Sequence, residues 1–159
     1  MDCKNLELFE TKLHKISIKG HFKLKMFKKL DIKSKLSNLG IVENMIDTIT
    51  QDAGINKDNY GKILVSTMEA VNNAIIHGNK SDENKSVYIE FLLKNNIVQI
   101  TITDQGNGFK PDKVPDPTKP ENIEAINGRG VFLMKKLADE IEFNEKGNSV
   151  KMTFKNIIS

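Results

Sequence analysis

Residues 68–79, Met-Glu-Ala-Val-Asn-Asn-Ala-Ile-Ile-His-Gly-Asn, constrain the chain more than any other stretch. Read as a helix, they stack Glu69, Asn73 and His77 at i, i+4 and i+8 on one face. Leu64, Met68, Val71 and Ile75 fall roughly opposite, at the spacing of a buried apolar stripe. A helix that buries one side and shows a carboxylate one turn before an amide has the form of a site floor.

Two glycine-bearing segments downstream complete a nucleotide pocket in this reading. In Asp104-Gln105-Gly106-Asn107-Gly108-Phe109, the carboxylate stands at the end of an expected strand, where it can accept a hydrogen bond from an exocyclic amine such as adenine's. Gly106 and Gly108 remove side chains and let backbone approach a flat base or a phosphate closely. The same pattern also describes an ordinary glycine turn capped by Asp. Neither a dinucleotide fingerprint nor a phosphate-binding loop ending in Gly-Lys-Ser/Thr is present.

Gly128-Arg129-Gly130 precedes an apolar helix, whose free amides form an anion site unless the segment is simply a hinge. Arg129 is the only arginine among 24 basic residues, and its planar fork holds phosphate bidentately where lysine offers a point charge. On the opening helix, Asn73 offers a neutral oxygen to a hard cation, and magnesium takes few protein ligands when phosphates supply the rest. Glu69, one turn earlier, is placed to orient or deprotonate a hydroxyl attacking a γ-phosphate. A buried Glu-Asn hydrogen-bonded pair would carry the same spacing. His77 reads as a helix-end contact to backbone or lid rather than a catalyst.

The rest of the chain supplies the frame. Residues 1–20 show no clean periodicity and stand as a loose extension or an added strand; residues 22–32 alternate in part, as one strand or two short ones. Helical spacing runs from about Ser37 to Asp52 and stops at Gly54, and Asp58 is the expected cap of the second helix, which continues to Gly78. Residues 79–85 form a polar turn. Strands follow over residues 86–94 and 97–104, joined by Asn95-Asn96, a pair suited to a tight hairpin. The segment from Phe109 to Asn127 carries all four prolines, and a connection of that length has the character of a lid. A third helix begins near Gly130, and two strands, about residues 140–144 and 149–154, close the chain. The fold class is α+β: a two-layer α/β sandwich, a mixed, mostly antiparallel sheet with helices on one face and a flexible ATP lid. The division is an N-terminal extension, residues 1–21, and one ATP-binding unit, residues 22–159.

Composition narrows the function classes. Cys3 is the single cysteine, so no intramolecular disulfide forms and no metal cluster is expected. No run approaches the ~18 apolar residues of a membrane span, and the first residues lack the apolar core of a signal peptide, so the expected location is the cytoplasm. The net charge of +3 hides nine lysines against one acid, Asp31, between Lys12 and Lys35. No arginine or aromatic readout accompanies that charge, so a solvated face outweighs a nucleic-acid or lipid patch. A nucleic-acid binder would show a steep salt dependence; no direct contact with nucleic acid or membrane is expected.

Glu-x-x-x-Asn running into His77-Gly78-Asn79, then Asp-x-Gly-x-Gly-Phe, then Gly-Arg-Gly-Val-Phe-Leu, resembles the ATP-binding fold shared by gyrase, Hsp90, histidine kinases and MutL. It is most similar to a compact branch, the bacterial anti-sigma-factor serine/threonine kinases of the general-stress and sporulation switches. The similarity covers roughly residues 30–154, including Pro115-Asp116-Pro117 in the lid. The resemblance implies ATP and Mg2+ as cofactors, Glu69 as catalytic base, Asn73 as magnesium ligand and Asp104 as adenine contact. It further implies that Gly106 and Gly108 shape the base pocket, that Gly128, Arg129 and Gly130 embrace the phosphates, and that His77 lies beside the nucleotide. One departure stands out: Gly147-Asn148 replaces the family's frequent Gly-Thr. The implied partners are a sigma factor, held captive, and an anti-sigma antagonist phosphorylated on serine or threonine; a homodimer is implied by the resemblance alone. A sensor histidine kinase fits less well, since no dimerisation hairpin with a phosphoacceptor histidine is seen. The alternative is a nucleotide-gated binding module without kinase activity.

Overall fold

The computed structural model describes residues 12–18, 21–110 and 128–158. Among these residues six strands form one sheet: β1 (Lys12–Ile18), β2 (His21–Lys33), β3 (Ser86–Lys94), β4 (Ile97–Asp104), β5 (Glu140–Phe143) and β6 (Ser149–Lys155). Their spatial order is β1-β2-β3-β4-β6-β5. Every pairing among the described residues is antiparallel, so the sheet is not mixed. The partly alternating segment after residue 20 is one continuous strand, with β1 paired along it as an added strand.

Among the described residues, three α-helices cover one face: α1 (Leu39–Ala53), α2 (Lys57–Asn73) and α3 (Arg129–Leu137). The period-2 pattern of the strands sends Ile89, Phe91, Ile100, Ile102, Met152 and Phe154 to that face, where all are buried. Val42, Ile46 and Ile49 of α1 and Ile63, Val71 and Ile75 of the second helical segment meet them, each fully enclosed. The buried stripe of α2 is rotated from the expected one: Ile63, Ser66, Thr67, Ala70 and Val71 lie inside, while Leu64 and Met68 are half-buried. Small residues let this helix sit close, and the larger Leu64 and Met68 flank the contact.

Local chemistry sets the boundaries. Gly54 ends α1 in the left-handed region (φ 66), with Gly54 N–H donating to Gln51 and Ile55 N–H to Thr50 in a Schellman pattern. The cap of α2 is Asn56 rather than Asp58: its side chain accepts from the Asn59 N–H at 3.0 Å, and Asp58 lies in the first turn. Asn95 and Asn96 both take positive φ (53 and 63), as a two-residue hairpin turn matching strand twist requires.

The lysine-rich segment engages locally where it is described. Lys29 pairs with Glu90, and Lys35 with Glu83, on the exposed surface. Such pairs contribute little stability, but they fit the solvated-face reading. No helix among the described residues is long and apolar enough to cross a membrane. The proline-rich lid expected between Phe109 and Asn127 falls almost wholly outside the described residues.

Candidate active site

The second helix does not end as an α-helix. Ala74–Gly78 form a π-helical turn, with Asn79 N–H bonded back to Ala74 at 2.8 Å. The π turn falls between Asn73 and the end of the helix, where a regular i, i+4, i+8 spacing no longer holds, and His77 within it is exposed. Glu69 and Asn73 remain one turn apart and half-buried.

What comes close to them is Gly130, in the first turn of α3. A Cβ placed on Gly130 would lie 2.8 Å from Glu69 Oε2 and 3.0 Å from Asn73 Nδ2. The absent side chain leaves a cradle lined by a carboxylate and an amide. Gly128 caps α3 in a left-handed conformation (φ 106) without a side-chain hydrogen bond, and no acidic residue occupies the first turn. The helix start therefore presents amides with no partner among the described residues, and a positive dipole end, beside the cradle. Arg129 lies there, exposed.

At the far end of the same helix stands Asp104. A Cβ on Gly78 would fall 2.4 Å from the Asp104 carboxyl, and one on Gly106 would fall 2.1 Å from the Gly78 carbonyl oxygen. Asp104 Oδ1 accepts from the Gly106 N–H at 2.7 Å. Burial pushes the Asp104 carboxyl above the usual carboxylate range, opposed by the Gly106 amide and by the nearby Lys146 and Lys85. One carboxyl oxygen is thus tied to backbone, in a partly dry setting suited to a polar ligand group.

Gly106 and Gly108 do serve close approach, but the neighbour in each case is the chain itself. Gly108 (φ 77) crosses Gly147 (φ 76) so tightly that a Cβ on either would land 1.8 Å from a carbonyl oxygen, that of Lys146 or Phe109 respectively. Phe109 also packs edge-to-face on Phe143 at 5.4 Å. Asn148, the departure noted in the sequence, donates through Nδ2 to the Asp104 carbonyl at 2.7 Å, while its own carbonyl accepts from the Asp104 N–H at 2.9 Å. Its side chain holds the adjacent backbone of the Asp104 strand.

Asn79, the first residue of the expected polar turn, is fully enclosed, at 0% exposure. Nδ2 donates to Ser34 Oγ at 2.6 Å and to the Ser86 carbonyl at 2.8 Å, while Oδ1 accepts from the Gln105 N–H at 2.8 Å. Nothing in the polar run 79–85 marks its first residue as buried. Gly78 and Gly147 were likewise missed as contact residues, because a sequence does not show which backbone a glycine must admit.

Glu69 and Gly78 are nine residues apart, roughly 13 Å along a helix. One helix therefore carries the Glu69–Asn73 cradle and the Asp104 end at a separation that an extended nucleotide can span. The cradle fits magnesium in its chemistry: hard oxygen donors beside free helix amides. Among the described residues no group of three or more His, Cys, Asp or Glu side chains could hold a metal, so phosphate and water would complete the shell.

A family model described as a histidine kinase-like ATPase domain matches residues 32–154. The chain is 38% identical over 103 residues to an anti-sigma F factor of Oceanobacillus iheyensis, covering 60% of this chain and 69% of that protein. It is 24% identical over 134 residues to a serine-protein kinase RsbW of the same organism, covering 80% and 85%. To the serine-protein kinase RsbW of Bacillus licheniformis it is 28% identical over 133 residues, covering 78% and 83%. The backbone is similar to a crystal structure of the RsbU and RsbW domains of Rv1364c from Mycobacterium tuberculosis, with a TM-score of 0.58 at 14% identity. That likeness concerns the fold; it covers 80% of this chain and 32% of the other.

Proposed function

Because the chain belongs to the histidine kinase-like ATPase domain family, we propose that it is an ATP- and magnesium-dependent protein serine/threonine kinase acting as an anti-sigma regulatory factor. The observation that carries the reading is the approach of Gly130 to both Glu69 and Asn73. In this reading it brings a general-base candidate, a candidate cation ligand and a helix start able to take phosphate to one point. The names of the relatives, anti-sigma F factor and serine-protein kinase, supply the biological class.

Each residue then has a task. The free Asp104 oxygen accepts from the adenine amine, while Gly106 and Gly108 keep the loop compact beneath the base. The amides at Gly128 and Gly130 and the Arg129 fork hold the phosphates. Asn73 would hold magnesium, which, when bound, neutralises phosphate charge. Glu69 takes the proton of a substrate serine or threonine hydroxyl as that oxygen bonds to the γ-phosphorus, and the bond to the bridging oxygen breaks to release ADP. His77 is a contact at the edge of the nucleotide rather than a catalytic group.

The protein held captive is a sigma factor, and the substrate is a small anti-sigma antagonist. Incubation with labelled ATP, magnesium and candidate antagonists tests this: label on an antagonist serine or threonine supports the kinase. Nucleotide-dependent partner binding without label points instead to a nucleotide-gated binding module.

A further inference from the structure

We propose that Asn79 and Gln105 form a clasp that positions Asp104 for base discrimination; the inference rests on the reading of Asp104 as the adenine contact. Asn79 is enclosed and spends its amide on three separate segments: the end of β2 at Ser34, the start of β3 at Ser86, and the backbone N–H of Gln105 directly after Asp104. Gln105 closes the loop by the reciprocal route, its side-chain oxygen accepting from the Ser86 N–H at 2.7 Å. Both ties converge on the residue that follows Asp104, and both lead back to β3. The Gly106 N–H, one residue on, is the donor that fixes Asp104 Oδ1. Tilting the Gln105 peptide therefore moves the donor that orients the carboxylate.

The clasp is built on the π turn that ends the helix. The Asn79 N–H reaches back five residues to Ala74, which places its side chain under the loop while Gly78 lies against the Asp104 carboxyl. A buried amide with two donors and an acceptor engaged is geometrically demanding, and losing it leaves the Gln105 N–H without that partner. Asn79 is thus a positioning residue, acting on the nucleotide through Asp104 and touching no part of it.

Calorimetric titration of ATP and GTP, in magnesium, into the full chain tests the clasp with Asn79→Ala, Gln105→Ala, Asp104→Ala and the Asn79→Ala/Asp104→Ala double variant. In the wild type ATP is expected to bind more tightly than GTP, and Asp104→Ala is expected to abolish most of that preference. Asn79→Ala is expected to lower the preference by roughly tenfold, on the scale of one hydrogen bond to a charged group, and to have no further effect once Asp104 is absent. Gln105 is exposed, so Gln105→Ala folds and lowers the preference in the same direction. A residue that merely stabilised the fold would leave the ATP/GTP ratio unchanged and act additively with Asp104→Ala. An unchanged ratio in Gln105→Ala, or in a folded Asn79→Ala, overturns the clasp. Equal ATP and GTP affinities in the wild type, or an unaltered ratio in Asp104→Ala, overturns the reading of Asp104 itself.

Discussion

Gly78 and Asp104 approach so closely that a single methyl group on the glycine would lie 2.4 Å from the aspartate carboxyl. The carboxyl is thereby packed against helix backbone and loses part of its hydration, which raises its pKa despite the Gly106 amide and two lysines. Because the native pKa exceeds the unfolded one, the native state binds the proton more readily. The charged form costs the native state stability at neutral pH, and that cost is relieved as pH falls through the native pKa. Asp104→Asn keeps an acceptor for Gly106 and is expected to melt above the wild type at pH 7, with the difference shrinking as pH drops into the carboxylate range. Its ATP affinity should fall. Melting curves across pH check the first point; an Asn variant that melts lower at pH 7 contradicts burial as the dominant influence.

Arg129 offers a second test. If its fork holds phosphates, Arg129→Lys is not conservative. Triphosphate affinity is expected to drop, and adenosine affinity to stay near the wild-type value, in parallel titrations. Wild-type ATP affinity and turnover in the lysine variant would leave the residue as part of a hinge.

Gly130 separates stability from activity. Alanine is the better helix former by about 1 kcal/mol, yet its methyl would press on Glu69 and Asn73. Gly130→Ala is therefore expected to keep or raise the melting temperature while phosphotransfer falls. A variant with wild-type turnover would show that the cradle has room to spare.

Much of the frame was readable because its signals are local. The spans of β3 and β4 follow from alternation bounded by Asn95-Asn96, and Gly54 stopped α1 where a left-handed residue was needed. The three site segments were readable as chemistry, since Glu69, Asn73, Asp104 and Gly130 carry it in their own side chains or lack of one. What escaped depends on tertiary partners. The π turn at Ala74–Gly78, with Gly78 lying against Asp104, is encoded by no spacing rule. The cap falls at Asn56, two residues before the expected Asp58, because the Asn56 side chain is the one that accepts the Asn59 N–H. Asn79 looked like a turn residue because burial of a polar side chain depends on distant donors and acceptors, here Ser34, Ser86 and Gln105.

The central claim is that Glu69 serves the chemical step and not the binding of nucleotide. Glu69→Gln preserves volume and removes the proton acceptor, so single-turnover phosphorylation of the antagonist, measured beside ATP affinity, tests it most directly. A rate lowered by ~10²–10⁴, the range for positioned acid–base catalysis, with ATP affinity largely kept, is the result the account predicts. Phosphorylation at the wild-type rate in Glu69→Gln would contradict it.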